Sequence, residues 1–236
     1  MNTKNETMGN ITESVASESG SGNSFMRSVV FAALALWLGV VIILGSQQVF
    51  VGSADSPPLP IFLGLAIPLA VFFAAYFGWS AFRTFILNAD LRFVTAIQAW
   101  RWGGLGFISL YANHVLPWLF AFPAGLGDMA IGVTAPWILL ELVRRPSFAG
   151  SQRYVRWNIL GLVDFAVAVS TATLCSGLFP GITRLVGNIT TSPMTHLPLV
   201  LVPAYMVPFF AMLHFTALFQ ARQSAHQKTR ALTEKM

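Results

Sequence analysis

Long apolar runs separated by short polar segments dominate this chain. Six of the runs are about 20 residues long and nearly free of charged side chains, which is the length a helix needs to cross a hydrocarbon core of roughly 30 Å. We therefore predict an all-α, polytopic membrane protein with six transmembrane helices. Their predicted bounds are 28–50, 59–82, 93–112, 124–143, 157–178 and 197–220.

The polarity of the two ends divides the chain into three parts. Residues 1–25 are rich in Ser, Asn, Glu and Gly, a composition that cannot bury a core, so we predict a disordered N-terminal tail. Residues 26–222 form the predicted six-helix transmembrane bundle, and residues 223–236 form a basic tail. The first apolar run begins only after Arg27, so the N-terminus does not have the pattern of a cleavable signal peptide.

Composition and charge placement support a membrane location. The chain is 55% hydrophobic and only 10% charged, whereas soluble domains carry roughly a quarter charged residues. Its formal net charge of +5 does not indicate a nucleic-acid partner, because the basic residues flank apolar runs and form no contiguous basic surface. On one side of a six-helix arrangement lies Arg184 alone; on the other lie Lys4, Arg27, Arg83, Arg92, Arg144, Arg145, Arg153, Arg156, Arg222, Lys228, Arg230 and Lys235. The positive-inside rule therefore predicts that both termini are cytosolic.

Three titratable side chains fall at one depth within the predicted helices. Counted from the cytosolic ends at about 1.5 Å per residue, Arg101, Asp164 and His214 lie roughly 10–13 Å inside the inner boundary. An arginine at that depth stays charged, so a carboxylate at the same level is its natural partner. We predict a buried polar site with an Arg101–Asp164 ion pair, His214 beside it, and Gln98 on the same face of its helix as Arg101. Such a pair also has a purely structural interpretation, in which it only fastens two helices together.

A second group of polar residues is predicted near the outer boundary. Asp128 lies close to the predicted start of the fourth helix, where the helix dipole favours a carboxylate. His114 and His196 should lie at the same outer level. Pro117 and Pro123 frame an apolar segment, 115–124, for which we expect an irregular backbone, such as a re-entrant loop, that is covered by protein.

Four functional interpretations follow from these residues. Transport of a small solute or of protons is favoured by the buried site and by the prolines of the last helix, since broken helices mark many transporter sites. The alternatives are a non-catalytic accessory or assembly subunit, a haem-binding redox protein with His114 and His196 as ligands, and an intramembrane aspartyl protease of the GxGD type, suggested by Gly125-Leu126-Gly127-Asp128. An enzyme is not the favoured interpretation, and no cofactor is predicted. The lipid bilayer is the expected partner, and a homo-oligomer or a membrane-protein partner stays open.

Four sequence blocks carry a family resemblance over roughly residues 95–220. QAWRWGGLGF, LPWLFAFPAGLGDMAIGVTAP, WNILGLVD and VPAYMVPFFAMLHFTAL resemble segments of a family of uncharacterised bacterial multi-span membrane proteins. The resemblance implies a multi-pass location in the bacterial inner (plasma) membrane. That family has no assigned activity, so the resemblance implies no functional role for any residue.

Overall fold

The computed structural model describes the backbone of residues 3–52 and 56–233 and the side chains of residues 24–52 and 56–225. Across these residues the regular structure is entirely helical, without a strand. The helices are α1 (Thr3–Ser46), α2 (Leu59–Gly78), α3 (Ser80–Leu87), α4 (Leu91–Ile97), α5 (Leu105–Ala112), α6 (Trp118–Arg144), α7 (Gln152–Leu174), α8 (Pro180–Leu185) and α9 (Val207–Thr233).

Both predicted tails overlap helical backbone. Helix α1 enters the segment 1–25, and α9 runs into the basic tail. The side chains of residues 1–23 and 226–236, and the backbone of residues 1–2 and 234–236, lie outside the described residues. The disordered N-terminal tail and the cytosolic C-terminal tail stay predictions.

In the part of the chain that the structure describes, five helical segments are long and apolar enough to cross a membrane. They are Ser24–Ser46, Leu59–Gly78, Trp118–Arg144, Gln152–Leu174 and Val202–Ala225. The burial of side chains inverts the pattern of a soluble protein, because Leu36 is 71% exposed whereas Arg101, which lies outside these five segments, is 2% exposed. Apolar side chains face outward and polar ones face inward when the surrounding solvent is lipid.

The third predicted helix is interrupted at its centre. It consists of α4, a seven-residue 3₁₀ segment (Gln98–Gly104) and α5. A 3₁₀ turn is narrower than an α-turn, and this one packs against the backbone of α6. A Cβ on Gly104 would lie 2.6 Å from Asp128 Cβ and 2.7 Å from the Gly125 carbonyl oxygen. The close approach depends on the missing side chain of Gly104.

The expectation of an irregular segment at 115–124 is wrong over most of its length. Helix α6 begins at Trp118 with Pro117 as its N-cap and continues through Pro123. Pro117 can occupy the cap because the first N–H groups of a helix have no intrahelical acceptor. Pro123 removes one hydrogen bond, to the carbonyl of Leu119, without ending the helix. Helix α6 is therefore longer at its start than predicted.

The last predicted helix is irregular at its prolines. A π-helical turn, Val202–Met206, contains Pro203 and leads directly into α9, whose second residue is Pro208. Wide turns of this kind occur where the ordinary hydrogen-bond ladder cannot be made, and often at functional sites. In this chain the turn lies beside the cavity described below.

Candidate functional site

Arg101 is the centre of a buried cluster of polar side chains. It lies on the 3₁₀ segment, and its Nε donates to Asp128 Oδ1 at 2.7 Å. Its Nη2 donates to Asp164 Oδ2, so one guanidinium holds carboxylates from both α6 and α7. The Arg101 side chain is 0% exposed, whereas that of Asp128 is 19% exposed. One buried cation thus faces two acidic groups, which leaves the trio with a formal charge of −1 when both are ionised.

A hydrogen-bonded chain continues from Arg101 on the other side. Arg101 Nη1 lies 2.8 Å from His214 Nε2, and His214 Nδ1 lies 2.9 Å from Asn158 Oδ1. Asn158 Nδ2 donates to the Tyr154 carbonyl at 2.9 Å, and the Tyr154 hydroxyl lies 3.1 Å from Thr95 Oγ1. All five residues are 2% exposed or less. The chain follows α7 from its middle to its first turn.

The chemistry of Arg101 determines the tautomer of His214. A guanidinium has only donors, so the His214 nitrogen that faces it must be the acceptor. Nε2 is therefore unprotonated, and Nδ1 carries the proton that is donated to Asn158 Oδ1. In this arrangement His214 is a neutral group that positions Arg101 and does not carry a proton between partners.

Glycines make room for the cluster. A Cβ on Gly127 would collide with the Asp164 carboxylate, and a Cβ on Gly161 would collide with the His214 ring. Gly125 lies against the 3₁₀ segment, since a Cβ there would be 2.8 Å from the Gly104 carbonyl oxygen. The glycines of the Gly125–Asp128 motif therefore have a packing role that accounts for their spacing.

A cavity of about 330 Å³ adjoins the cluster. Asp128 and Phe165 lie at its inner end, and Thr173 of α7, Thr191 and Thr195 lie toward its other end. Most of the remaining lining is apolar. Phe165 and Thr173 are eight residues apart on α7, so the cavity extends over roughly 12 Å along that helix. Within the part of the chain that the structure describes, Asp128 is thus the ionisable side chain that lines the cavity.

The structure brings together three of the residues predicted for the buried site and separates the fourth. Arg101, Asp164 and His214 form one network. Gln98 is buried, but its Nε2 donates to the Phe210 carbonyl at 3.2 Å, and its Oε1 has no partner among the described residues. Gln98 does not hydrogen-bond to Arg101 and is outside the network.

The predicted outer-side grouping is wrong for Asp128. Because α6 starts at Trp118, Asp128 lies ten residues into the helix instead of near its N-terminus. It binds Arg101, and within the described part of the chain it has no hydrogen bond to a histidine. His114 is exposed at a positive φ of 57°, and His196 Nδ1 lies 3.2 Å from the Ser192 carbonyl oxygen.

The aspartyl-protease alternative concerns Asp128 and Asp164. An aspartyl protease requires two carboxylates that share a proton, but Asp128 and Asp164 each accept a hydrogen bond from Arg101, which lies between them. This arrangement does not have the proton-sharing geometry. In the described residues, no group of three or more His, Cys, Asp or Glu side chains has metal-binding geometry.

Sequence reasoning missed Asn158 and Tyr154. The predicted fifth helix began at residue 157, so Asn158 was placed at its very end and Tyr154 outside it. Helix α7 instead begins at Gln152, after Ser151 caps it by accepting from the Tyr154 N–H at 3.2 Å. A serine followed by Gln-Arg-Tyr is an N-cap signal that could have moved the boundary.

The fold and the site together define a class of protein: an all-helical chain with five membrane-compatible helices around a buried Arg–Asp–Asp–His network. A family model described as a domain of unknown function, DUF8737, matches residues 58–222. The chain belongs to this family, and the match includes every residue of the network. No curated protein and no solved structure matches the chain.

Proposed function

We propose that this protein is a bacterial inner-membrane protein that transports a small solute, linked to proton movement, through the site at Asp128. The observation that carries the proposal is the asymmetry of Asp128. Its Oδ1 is held by a buried arginine, while its side chain keeps 19% exposure at the inner end of the cavity. An intramembrane carboxylate that is accessible from one side is the usual element of a proton or ion pathway.

The polar path along α7 supports transport. The cavity occupies the half of α7 that contains Thr173, and the hydrogen-bonded chain occupies the half that contains Tyr154. Asp164 lies between the two halves and meets Arg101 there. Polar groups therefore accompany α7 over about 30 Å, which is comparable to the thickness of a hydrocarbon core.

Six passes with both termini in the cytosol complete the proposal. The segment from Leu91 to Ala112 is not among the five spans because its helix is interrupted. The axial rises of α4, the 3₁₀ segment and α5 nevertheless add to a length of roughly 36 Å. Its outward side chains are apolar, with Trp100 77% and Phe93 60% exposed. A sixth pass in this segment puts the ends of the chain on one side, as the distribution of basic residues requires.

A proton-flux measurement tests the proposal. The purified protein is reconstituted into liposomes of phosphatidylethanolamine and phosphatidylglycerol that contain a trapped pH-sensitive dye, and the external pH is lowered. We expect proton entry well above that of protein-free liposomes, and loss of this excess in Asp164→Asn. Glu141→Gln, an acid-to-amide change on α6 away from the network, is the matched control. Equal flux in wild type, Asp164→Asn and empty liposomes would reject transport.

The alternative is a structural subunit in which the network only fastens helices. It is favoured by the near saturation of Arg101, whose five donors make four contacts, including one from Nη1 to the Gly161 carbonyl at 3.5 Å. In that case Asp164→Asn lowers thermal stability, proton flux is absent in every variant, and affinity purification from the native membrane yields a stoichiometric partner.

A further inference from the structure

We infer that the cavity binds a protonated amine with an apolar group, its ammonium on Asp128 and its apolar part between the phenylalanines above it. This inference rests on the proposed function and specifies the class of solute at that site. Three observations carry it: the charge at the inner end of the cavity, the direction of the hydroxyl groups in the wall, and the aromatic lining.

The negative charge at the inner end of the cavity disfavours an anionic ligand and favours a cationic one. The Arg101 side chain is 0% exposed and donates to Asp128, Asp164 and His214, so it offers no hydrogen-bond donor to the cavity. No lysine or arginine is among the described residues that line the cavity. Among the described residues the accessible charge is thus the Asp128 carboxylate, and Arg101, Asp128 and Asp164 together have one acidic group in excess. A single positive charge on the ligand completes the balance.

Three threonine hydroxyls of the wall are oriented as acceptors. Thr173 Oγ1 donates to the Val169 carbonyl at 2.7 Å, Thr191 Oγ1 donates to the Ala172 carbonyl at 2.7 Å, and Thr195 Oγ1 donates to the Ser192 carbonyl at 2.8 Å. Each hydroxyl has one proton, and these bonds use it. What these three threonines offer a ligand in the cavity is lone pairs, whereas the hydroxyls of Ser176 and Thr190 accept from the N–H groups of Leu178 and Ser192. A ligand with N–H donors is matched to the three threonines.

Aromatic rings supply the third element. Phe107 and Phe120 line the cavity, with their ring centroids 5.4 Å apart in an edge-to-face arrangement. Phe165 separates the cavity from Arg101, whose Cζ lies 3.9 Å from its ring centroid. Rings of this kind bind apolar groups by area and attract cations at their faces. A volume of about 330 Å³ accommodates a small aromatic or branched aliphatic amine.

The experiment compares three ligands that share a phenyl ring and differ in charge. Isothermal titration calorimetry on purified protein in an uncharged detergent at neutral pH measures 2-phenylethylamine, 2-phenylethanol and 3-phenylpropanoate. We expect the amine to bind at least about tenfold more tightly than the alcohol, with no binding of the carboxylate. Asp128→Asn should weaken amine binding by at least about tenfold and leave the alcohol unchanged. Glu141→Gln should change neither.

A cavity-filling variant keeps the test decisive if Asp128→Asn does not fold. Ala168 lines the cavity without taking part in the network. Ala168→Phe should therefore abolish binding of both the amine and the alcohol. Any heat that remains with this variant measures partition of the ligand into detergent. The inference is overturned if the alcohol or the carboxylate binds as tightly as the amine, if a folded Asp128→Asn binds the amine normally, or if Ala168→Phe has no effect. It is also overturned if no ligand binds.

The two proposals fail separately. Asp164-dependent proton flux without amine binding leaves transport in place and removes the amine as the class of solute. Asp128-dependent amine binding without proton flux establishes the ligand class and removes proton-linked transport. Each measurement uses the full-length chain, and neither depends on the result of the other.

Discussion

Gly127 lies directly against the carboxylate of Asp164, so close that a Cβ at Gly127 would overlap Asp164 Oδ1. This contact brings α6 and α7 together at the level of Arg101, which then reaches both Asp128 and Asp164. The glycine thus determines whether one guanidinium can bridge the two helices. The bridge in turn determines which carboxylate is exposed to the cavity.

Gly127→Ala should damage the network. The added methyl must displace the Asp164 carboxylate from Arg101 or separate the helices, and overpacking of this kind costs about 1–3 kcal/mol. Gly106→Ala is the matched control, because Gly106 lies in α5 with nothing within 4 Å of its Cβ position. Thermal unfolding in detergent measures both. A Gly127→Ala protein as stable as Gly106→Ala would show that Asp164 can move freely.

Arg101→Leu should be strongly destabilising. The change leaves two carboxylates without their shared partner, and removing one member of a buried ion pair costs about 3–5 kcal/mol. Arg156→Leu, at an exposed arginine of α7, should change stability by no more than about 0.5 kcal/mol. Arg101→Lys should also lose stability, since an ammonium cannot reproduce the planar fork that holds Asp128 and Asp164. Equal melting temperatures for Arg101→Leu and Arg156→Leu would contradict the role given to Arg101.

The depth of residues along apolar helices was enough to group Arg101, Asp164 and His214. Their contact follows from the cost of an unpaired charge in lipid, which forces an intramembrane arginine to find acceptors at its own level. The same reasoning misplaced Asp128, because depth is counted from a helix end and the start of α6 was set six residues too late. The prediction treated Pro123 as a helix break, whereas α6 continues through it without that hydrogen bond.

The remaining features of the site depend on tertiary structure. The 3₁₀ segment around Arg101 reflects its packing against Gly125 and Gly132 of α6, and local propensity does not encode such a contact. The cavity is lined by residues of α2, α6 and α7 and of the segments 190–195 and 202–207, which are distant in sequence. The direction of the Thr191 hydroxyl depends on the Ala172 carbonyl, which the folded chain brings within reach, whereas Thr173 and Thr195 bond carbonyls of their own local turns.

His214 should be found as the neutral Nδ1–H tautomer. Arg101 has no acceptor to offer Nε2, and Asn158 Oδ1 accepts from Nδ1, so both neighbours favour this form. The ¹⁵N chemical shifts of histidine-labelled protein at neutral pH distinguish the tautomers, and His214→Gln identifies the signal among the four histidines. A protonated Nε2 would show that Arg101 does not donate to His214. Asn158→Leu should weaken the preference by removing the second partner.

The orientation of the chain can be tested with the natural cysteine left in place. Cys175, the only cysteine, is buried and should not react with a maleimide, so the wild-type protein is the negative control. Leu185 on α8 is 65% exposed, and Gln152 at the start of α7 is also exposed.

If the six-pass arrangement with cytosolic termini is correct, a membrane-impermeant maleimide applied to intact bacterial cells should label Leu185→Cys. Gln152→Cys should react only after the membrane is permeabilised, because the arginines around it stay in the cytosol. The reverse labelling pattern would show that the chain has the opposite orientation in the membrane. Labelling of both positions in intact cells would show that α7 does not cross the membrane.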